Sequence, residues 1–399
     1  MILNGLIIFV TVFTGGLLLH PKLAQARMWR AAITPLASII GSGFLVLGPV
    51  LDASYGKYAP LVMGLLCLTA YLFGSAIRFN IARIAQHGPG LDPVGDLLEK
   101  SASWVLAFAY TVSVAYYLNL LGSFAVSLTD LNDAYHARLV TTGVLAVILI
   151  VGWTHGFRAL EHMEQISVGV KLAIIAGLLF GLGWFFAERV ATGDLVVKPP
   201  QLHGWPAITL IFGLLITVQG FETSRYLGDE YDAPTRIRSM RLAQWMSTGI
   251  YMVYIILMSY LFAPDMLHLS ETAIIDLMAI VAPVLPVLLI ASALSAQFSA
   301  AVADTGGTGG LLEELTGGRI SPRVAYAILV AFALLLTWVM SVFEIISYAS
   351  RAFALYYAFQ AMIAARGAYR QARLNHLTLL FTFLALLGLT IAVFGTPVE

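Results

Sequence analysis

Two short interruptions in otherwise apolar segments could bind a small charged molecule through the backbone. Gly41, Ser42 and Gly43 stand together in the run SIIGSGFLVLGPV, and Gly220 shortly precedes Glu222 in the run TVQGFETSRYLGDEYDAPTR. Glycine in a helix interior costs roughly 1 kcal/mol relative to alanine, so these residues mark either close helix packing or an opened helix. An opened helix exposes N–H and C=O groups that a ligand, a water molecule or an ion must satisfy within a bilayer.

Two cations, Lys171 and Arg351, also stand inside apolar segments. A charge at bilayer depth costs at least about 2.5–3.5 kcal/mol, so such a residue usually faces a cavity or a partner. Lys171 lies too deep in its segment to reach the surface easily, which predicts a functional position. Arg351 follows Glu344 by seven residues, which puts both on one helix face, where a structural ion pair is the ordinary explanation. The sequence assigns no further role to Arg351.

The sequence contains no pattern that is typical of a catalytic or a metal-binding site. The single Cys67 excludes an internal disulfide and a cysteine-based metal site. No histidine falls in the middle of a predicted membrane span, and no nucleophile motif is present. The run DTGGTGG at 304–310 lacks the lysine and the preceding strand of a phosphate-binding loop, and we expect a flexible helix end there. We therefore predict that the protein is not an enzyme and has no catalytic residue, metal or cofactor.

The composition places these segments in a lipid bilayer. Of the 399 residues, 59% are hydrophobic and 11% are charged, and the formal net charge is zero. Soluble domains average about 25% charged residues, and apolar stretches of about 20 residues are long enough to cross the hydrocarbon core. These features predict an all-α polytopic membrane protein with no nucleic-acid partner. The twelve predicted spans are 2–20, 30–51, 59–83, 103–128, 138–154, 163–187, 206–228, 240–263, 274–302, 322–341, 343–364 and 376–395.

The positions of lysine and arginine predict which side each loop faces. With the N-terminus outside, sixteen of these cations fall in inner loops and four in outer loops, the bias expected of cytoplasmic loops. We therefore predict a multi-pass protein of the plasma (inner) membrane with both termini outside. The outer cations are Lys57, Arg138, Arg189 and Lys198. The inner cations are Lys22, Arg27, Arg30, Arg78, Arg83, Lys100, Arg158, Arg225, Arg236, Arg238, Arg241, Arg319, Arg323, Arg366, Arg370 and Arg373.

The spans divide into two consecutive sets of five. We name 30–51 core helix 1 and 206–228 core helix 6, because each begins a set and each carries one glycine interruption. The sets begin on opposite sides of the membrane, so a structural repeat between them would be inverted. Matched interruptions in two halves of a chain are the best sequence indication of a transporter's central site. The predicted parts are a leading helix with its linker at 1–29, the five-helix sets at 30–187 and 206–364, and a trailing helix at 365–399.

These motifs resemble those of the amino acid–polyamine–organocation (APC) superfamily of secondary transporters. IIGSGF resembles the Gly-Ser-Gly signature of that family's broken first helix, and GFE with GDEYDAPTR resembles its sixth helix and the loop after it. Lys171 resembles the lysine on the fifth helix of proton-coupled members. The resemblance implies a LeuT-like five-plus-five inverted repeat with broken core helices 1 and 6. It also implies secondary active transport of a small organic solute, an amino acid or a related amine, by alternating access.

Two regions depart from the family's pattern. Ile216 to Gln219 stand where many amino acid carriers have aromatic residues, and Phe212 is the nearest aromatic residue upstream. Asp304 stands near the place of an arginine that is typical at the end of core helix 8, the predicted span 274–302. These differences leave the gate on core helix 6 and the identity of the solute open.

The resemblance and the interruptions together predict the substrate site. Amides at the first interruption would bind a carboxylate at the N-terminus of a half-helix. Carbonyl groups beside both interruptions would bind an ammonium group. Side chains of core helix 3, the predicted span 103–128, and of core helix 8 would contact the rest of the solute. The predicted substrate-binding residues are Ile39, Gly41, Ser42, Gly43, Tyr116, Tyr117, Val218, Gln219 and Gly220, with Ser295 and Ser299 on core helix 8.

Lys171 is predicted to couple transport to protons. In sodium-driven relatives a cation bridges core helices 1 and 8, and the Lys171 ammonium could enter the same space and meet the hydroxyls of Ser295 or Ser299. Burial disfavours the charged form of a lysine, so the proton could leave and return during the cycle. Glu222 is the alternative proton site, unless it is only a solvated helix end.

Other classes of protein remain open from the sequence alone. A membrane-embedded sensor or enzyme could be built on a transporter-like scaffold. A sensor usually appends a soluble output domain, and an enzyme needs a catalytic constellation, and we find neither in the sequence. A channel would more often show a pore-lining repeat than two single interruptions.

Overall fold

A computed structural model describes residues 2–41, 43–88, 93–154, 158–228, 230–266 and 270–398. Within these ranges every regular element is a helix. The α-helices are α1 Ile2–Leu18, α2 Pro21–Ala24, α3 Arg27–Ile39, α4 Gly43–Tyr55, α5 Ala59–His87, α6 Pro93–Val126, α7 Ala134–Thr154, α8 Arg158–Thr192, α9 Gly204–Gly213, α10 Ala233–Met258, α11 Ala273–Val281, α12 Leu285–Leu315, α13 Pro322–Val339, α14 Val342–Ala372 and α15 His376–Phe394.

Seven helical segments in the described part of the chain are long and apolar enough to cross a membrane. The protein is therefore an all-α, multi-pass membrane protein. The arrangement of twelve spans in two inverted sets stays a prediction. The seven segments are Gly43–His87, Pro93–Val126, Ala134–Thr154, Val168–Thr192, Leu285–Leu315, Pro322–Val339 and His376–Phe394.

Core helix 1 is interrupted in the structure. Its first half, α3, ends at Ile39, and its second half, α4, begins at Gly43. Ile40 leaves the helical region with φ −84° and ψ 63°. The adjoining Gly41 lacks a Cβ and so offers little resistance to unwinding. Ser42, the middle residue of the predicted signature, lies outside the described residues.

Core helix 6 is interrupted as well. After α9 the chain continues in two 3₁₀ helices, Leu215–Val218 and Phe221–Tyr226, with Gln219 extended between them. Gly220 has φ 115°, which lies in the left-handed region that favours glycine. A Cβ added at Gly220 would lie 2.5 Å from the carbonyl carbon of Ser38 on α3. The two interruptions therefore pack directly against each other.

Helix α6 lies at the centre of the bundle and packs along both α12 and α14. At the periphery, α15 packs along α14 and α1 packs along α8. The central contact depends on small residues: a Cβ added at Gly307 of α12 would lie 3.0 Å from the ring of Tyr110 on α6. This packing brings α3, α6, α12 and the broken core helix 6 around one central region.

Two predicted boundaries on core helix 8 were wrong. The predicted span 274–302 is two helices, α11 and α12, because Ala282 is extended before Pro283, and a residue before proline disfavours the helical region. The stretch 304–310 is regular helix inside α12, not a flexible end. Two of its glycines, Gly307 and Gly309, pack against aromatic rings, and a Cβ added at Gly309 would lie 2.5 Å from the ring of Tyr326.

The ion pair considered for Arg351 and Glu344 is not formed. Glu344 instead caps the start of α14, where its side chain accepts from the N–H of Ser341 at 2.7 Å. The Arg351 Nε donates to the carbonyl of Ala392 on α15 at 2.7 Å. A helix cap satisfies an N–H that has no intrahelical partner. The Glu344 carboxylate therefore bonds to the backbone of its own helix and not to Arg351.

Candidate functional site

A tyrosine hydroxyl joins the two interruptions. The Tyr251 hydroxyl of α10 lies 2.8 Å from the Ile39 carbonyl oxygen and 2.7 Å from the Thr217 carbonyl oxygen, so both share its single proton. Tyr251 is fully buried. Because Ile39 ends α3 and Thr217 lies in unwound core helix 6, one side chain satisfies backbone from both broken helices. The Ile39 carbonyl, predicted to bind substrate, is thus already engaged.

The start of α4 is closely surrounded. A Cβ added at Gly43 would lie 2.8 Å from the Tyr116 hydroxyl and 3.2 Å from Thr217 Cα. The first amides of any helix lack intrahelical partners and carry the positive end of the helix dipole. The beginning of α4 therefore offers donors for a small anionic group inside the bundle, beside the hydroxyl of Tyr116.

Gln219 faces the tyrosine pair of α6. Its Nε2 donates to the Tyr117 hydroxyl at 3.2 Å, and the ring centroids of Tyr116 and Tyr117 lie 4.9 Å apart. Gln219 is 2% exposed, and its Oε1 accepts no hydrogen bond from any residue that the structure describes. The interruption of core helix 6 therefore holds a buried amide oxygen with capacity for a donor.

Glu222 is fully buried, so the interpretation of this residue as part of a solvated helix end was wrong. Its Oε2 accepts from the N–H of Gly220 at 3.0 Å and from the Tyr357 hydroxyl at 2.8 Å. Within the described ranges, Oε1 has no hydrogen-bond partner. A buried carboxyl group with one free oxygen can hold a proton or accept a bond from a cationic group.

Lys171 of α8 reaches the end of α3. Its ammonium donates to the Ala37 carbonyl at 2.8 Å, and the residue is 4% exposed. Ala37 lies two residues before the last residue of α3, so the lysine contacts the half-helix that ends at the first interruption.

A cavity of about 520 Å³ adjoins this centre and lies between α3, α6, α12 and the 3₁₀ helix Phe221–Tyr226. We call it the inner cavity. Asp304 of α12 lies on its wall and accepts a hydrogen bond from Ser113 of α6. Ser299 lines the cavity, whereas Ser295 lies one turn earlier on the same helix. The other polar lining residues are Thr34, Ser38, Tyr110, Thr223, Tyr226 and Glu314.

Ion pairs connect the elements at the end of the molecule next to the inner cavity. The Arg225 Nη2 donates to both carboxylate oxygens of Glu99 on α6, at 2.8 and 2.6 Å. Arg27, at the start of α3, pairs with Asp232 at 3.0 Å. We call the end that holds these two pairs the basic side. Here the 3₁₀ helix of core helix 6 is tied to α6, and α3 is tied to the start of α10.

A family model described as an APC superfamily transporter matches residues 21–395. The protein belongs to the APC superfamily of transporters. The resemblance drawn from the sequence is thereby confirmed. The transporter is also 43% identical over 402 residues to an uncharacterized protein of Aquifex aeolicus (strain VF5), covering 97% of each chain. Membership makes a small-molecule substrate and the lipid bilayer the partners of this chain, and the family is one of transporters, not of enzymes.

Three residues of the transporter's centre were missed in the sequence. Tyr251 and Tyr357 are described above, and Ser350 of α14 is the third. The Ser350 hydroxyl donates to the Gly213 carbonyl at 2.7 Å and accepts from the Ile216 N–H at 2.9 Å, so it satisfies the unwound backbone after α9. Ser350 directly precedes Arg351, and a hydroxyl in an apolar span was the available signal.

The described part of the transporter contains no group of three or more histidine, cysteine or carboxylate residues placed to hold a metal ion. Among the described residues, the polar groups of the centre are amides, carbonyls, the hydroxyls of tyrosines and of Ser350, the Glu222 carboxyl group and the Lys171 ammonium. This set suits recognition of an organic molecule through hydrogen bonds and charge.

Proposed function

We propose that the protein is a secondary active transporter of an amino acid or a related amine, coupled to protons and working by alternating access. The observation that carries the proposal is the junction of the two broken helices, where the Tyr251 hydroxyl is shared between the carbonyls of Ile39 and Thr217. Unwound helices that meet inside a transporter expose both N–H donors and C=O acceptors. A zwitterion needs both kinds of group.

The proposed architecture is the LeuT-like five-plus-five inverted repeat with twelve spans. Its parts are the leading helix 1–29, the two sets 30–187 and 206–364, and the trailing helix 365–399. The interruptions in the first helix of each set support this division. The arginine-rich basic side supports an inner-membrane orientation with both termini outside.

In the proposed site, amides at Gly41, Ser42 and Gly43 bind the carboxylate of the solute. The ammonium group is bound by the Ile39 carbonyl, whose oxygen can accept a second hydrogen bond beside that from Tyr251. The backbone around Val218, Gln219 and Gly220 and the buried Gln219 Oε1 complete this part of the site. Tyr116 and Tyr117 form the adjoining wall, which their position beside Gly43 and Gln219 supports.

In the proposed coupling, the Lys171 ammonium holds α3 while it is charged and releases α3 when it loses its proton. The bond to the Ala37 carbonyl supports this role. Ser299 and Ser295 on α12 would bind the ammonium from the opposite side. Glu222 is the second proton carrier to consider, because its buried Oε1 can be protonated without breaking the bonds that Oε2 accepts.

Uptake by purified protein in proteoliposomes tests the proposal. Pools of labelled amino acids and amines are supplied with an inward proton gradient, with a sodium gradient, and with neither. We expect accumulation of at least one solute that depends on the proton gradient and not on sodium. Uptake that requires sodium and ignores pH would contradict the coupling, and no uptake of any supplied solute would contradict the substrate class.

Two separate glycines, Gly43 and Gly249, provide a test variant and its matched control for this assay. Gly43→Leu places a side chain against Tyr116 and Thr217, whereas Gly249→Leu on α10 meets open space. We expect the first variant to lose uptake and the second to retain it. Equal unfolding temperatures in the two variants would show that the loss arises at the site, and undiminished uptake by Gly43→Leu would contradict the predicted site.

A further inference from the structure

A second cavity, of about 810 Å³, lies on the basic side between α1, α3 and α8. We call it the leading-helix cavity. Its apolar wall includes Leu18 of α1, Ile33 of α3 and Leu172 of α8, and its rim carries Arg27 and Arg30. The cavity therefore combines two arginines with an apolar wall formed by three helices.

One arginine of the rim is available to a ligand. Arg30 is exposed, and its guanidinium makes no hydrogen bond or ion pair with any residue in the described ranges. Arg27 pairs with Asp232, but the two side chains are 68% and 53% exposed, and such surface pairs are weak and readily exchanged. Two carboxylates stand near the two guanidinium groups: Glu230 in the lining and Asp232 beside Arg27.

The chemistry of the cavity selects an amphipathic anion. Guanidinium groups bind phosphate through parallel hydrogen bonds, and the apolar wall below them favours a ligand that also has an apolar part. Trp29, half-buried in the lining, is of the type that lies at the level of lipid headgroups. Basic cavities between helices on the cytoplasmic side of membrane proteins recognise anionic headgroups by these means.

We infer that the leading-helix cavity binds an anionic phospholipid, with the phosphate at Arg27 and Arg30 and an acyl chain along Leu18, Ile33 and Leu172. Nothing in the central site takes part in this binding, so the lipid site stands whether or not the transported solute is an amine.

The position of the cavity gives the lipid a regulatory role. Thr34 of α3 and Leu227 line both the leading-helix cavity and the inner cavity, so α3 is the wall between them. A lipid bound on one side of α3 restrains the half-helix whose other side faces the inner cavity. This consequence for transport rests on the proposed function, whereas the binding does not.

Thermal unfolding of the purified full chain tests the binding. The protein is titrated in detergent with phosphatidylglycerol or with phosphatidylcholine of the same acyl chains. We expect phosphatidylglycerol to raise the unfolding temperature by several degrees, and phosphatidylcholine to have a much smaller effect. The double variant Arg27→Gln/Arg30→Gln should lose at least half of the phosphatidylglycerol shift.

The matched control is Arg319→Gln/Arg323→Gln, which removes two other exposed arginines from the inner loops predicted by the sequence. This variant should keep the full shift. Equal loss in both double variants would mean general attraction to anionic lipid, and no loss in either would mean a site elsewhere; each result overturns the inference.

Fluorescence quenching locates the acyl chain. Phosphatidylglycerol with brominated chains should quench tryptophan emission less in Trp29→Phe than in the wild type, since the chain would lie beside Trp29. An unchanged degree of quenching would overturn the placement. Uptake in liposomes with and without phosphatidylglycerol then tests the regulation: a lipid effect that Arg27→Gln/Arg30→Gln abolishes supports it, and an equal lipid effect in that variant refutes it.

Discussion

The Tyr357 hydroxyl lies 2.8 Å from Oε2 of Glu222 and donates a hydrogen bond to it. Both residues are buried, one on α14 and the other just after the interruption of core helix 6. This bond holds the unwound segment 220–226 of core helix 6 against the continuous helix α14. It also fixes which carboxylate oxygen of Glu222 is engaged and which is free.

Removing the Tyr357 hydroxyl should therefore weaken the transporter's centre. Tyr357→Phe leaves a buried acceptor with one bond fewer, which costs on the order of 1–3 kcal/mol. We expect a lower unfolding temperature and slower uptake. Tyr348→Phe on the same helix is the control, since Tyr348 is 46% exposed and makes no hydroxyl hydrogen bond with the described residues. Equal behaviour of the two variants would show that the bond has no structural role.

Gly220→Ala should lower the free energy of unfolding by more than the cost of a left-handed backbone at a residue with a Cβ. The φ of 115° opposes a Cβ, and the added Cβ would lie 2.5 Å from the Ser38 carbonyl carbon. Gly193 has φ 78° and open space around it, so Gly193→Ala carries the backbone cost without the contact. We expect Gly193→Ala to cost about 1–2 kcal/mol of unfolding free energy and Gly220→Ala clearly more. A smaller loss in Gly220→Ala would contradict the close packing of the two interruptions.

Tyr251→Phe should weaken the contact between the two broken helices. Without the hydroxyl, the carbonyls of Ile39 and Thr217 lose their shared donor, and each buried unsatisfied group costs about 1–3 kcal/mol. The control is Tyr254→Phe one turn later, whose hydroxyl lies 3.4 Å from the Leu45 carbonyl and forms at most a weak bond. Uptake and unfolding temperature should fall in the first variant and change little in the second.

The interruptions could be predicted from the sequence because their signals are local. Glycines inside apolar runs indicate an opened helix. The chain leaves the helix at Ile40, and Gly220 separates the two 3₁₀ helices that follow α9. The partners of the opened backbone could not be predicted. Tyr251 and Ser350 are ordinary residues of apolar spans, and which face of a helix meets the interruption is decided by the packing of helices far apart in sequence.

Two of the wrong predictions, for 304–310 and for Glu222, have the same cause. The composition of 304–310 suggested flexibility, yet glycines there allow α12 to approach Tyr110 and Tyr326 closely, and packing outweighs helix propensity. Glu222 looked like a solvated end because it precedes a charged loop, but the Gly220 turn directs its carboxylate to Tyr357. In both cases contacts between distant segments override what neighbouring residues indicate.

Lys171 and Lys198 provide a test of coupling, because both are buried and only Lys171 contacts α3, the half-helix that ends at the first interruption. Lys171 donates to the Ala37 carbonyl of α3, whereas Lys198 pairs with Asp52 near the end of α4, away from the basic side. Lys198→Met leaves Asp52 without its partner, and breaking a buried pair costs about 3–5 kcal/mol. We therefore expect Lys198→Met to lower the unfolding temperature while uptake still responds to a proton gradient.

Lys171→Ala, unlike Lys198→Met, should lose the response of uptake to a proton gradient. Without the ammonium, the release of α3 no longer depends on a proton, so accumulation driven by a pH gradient should be lost. Exchange of labelled for unlabelled solute should persist, because the proposed substrate groups lie around Gly43 and Gln219. Counterflow and gradient-driven uptake, measured in the same proteoliposomes, separate these two activities. If Lys171→Ala keeps its response to the gradient, the proton site lies elsewhere, and Glu222→Gln becomes the next variant, since Glu222 carries a buried carboxylate oxygen unpartnered among the described residues.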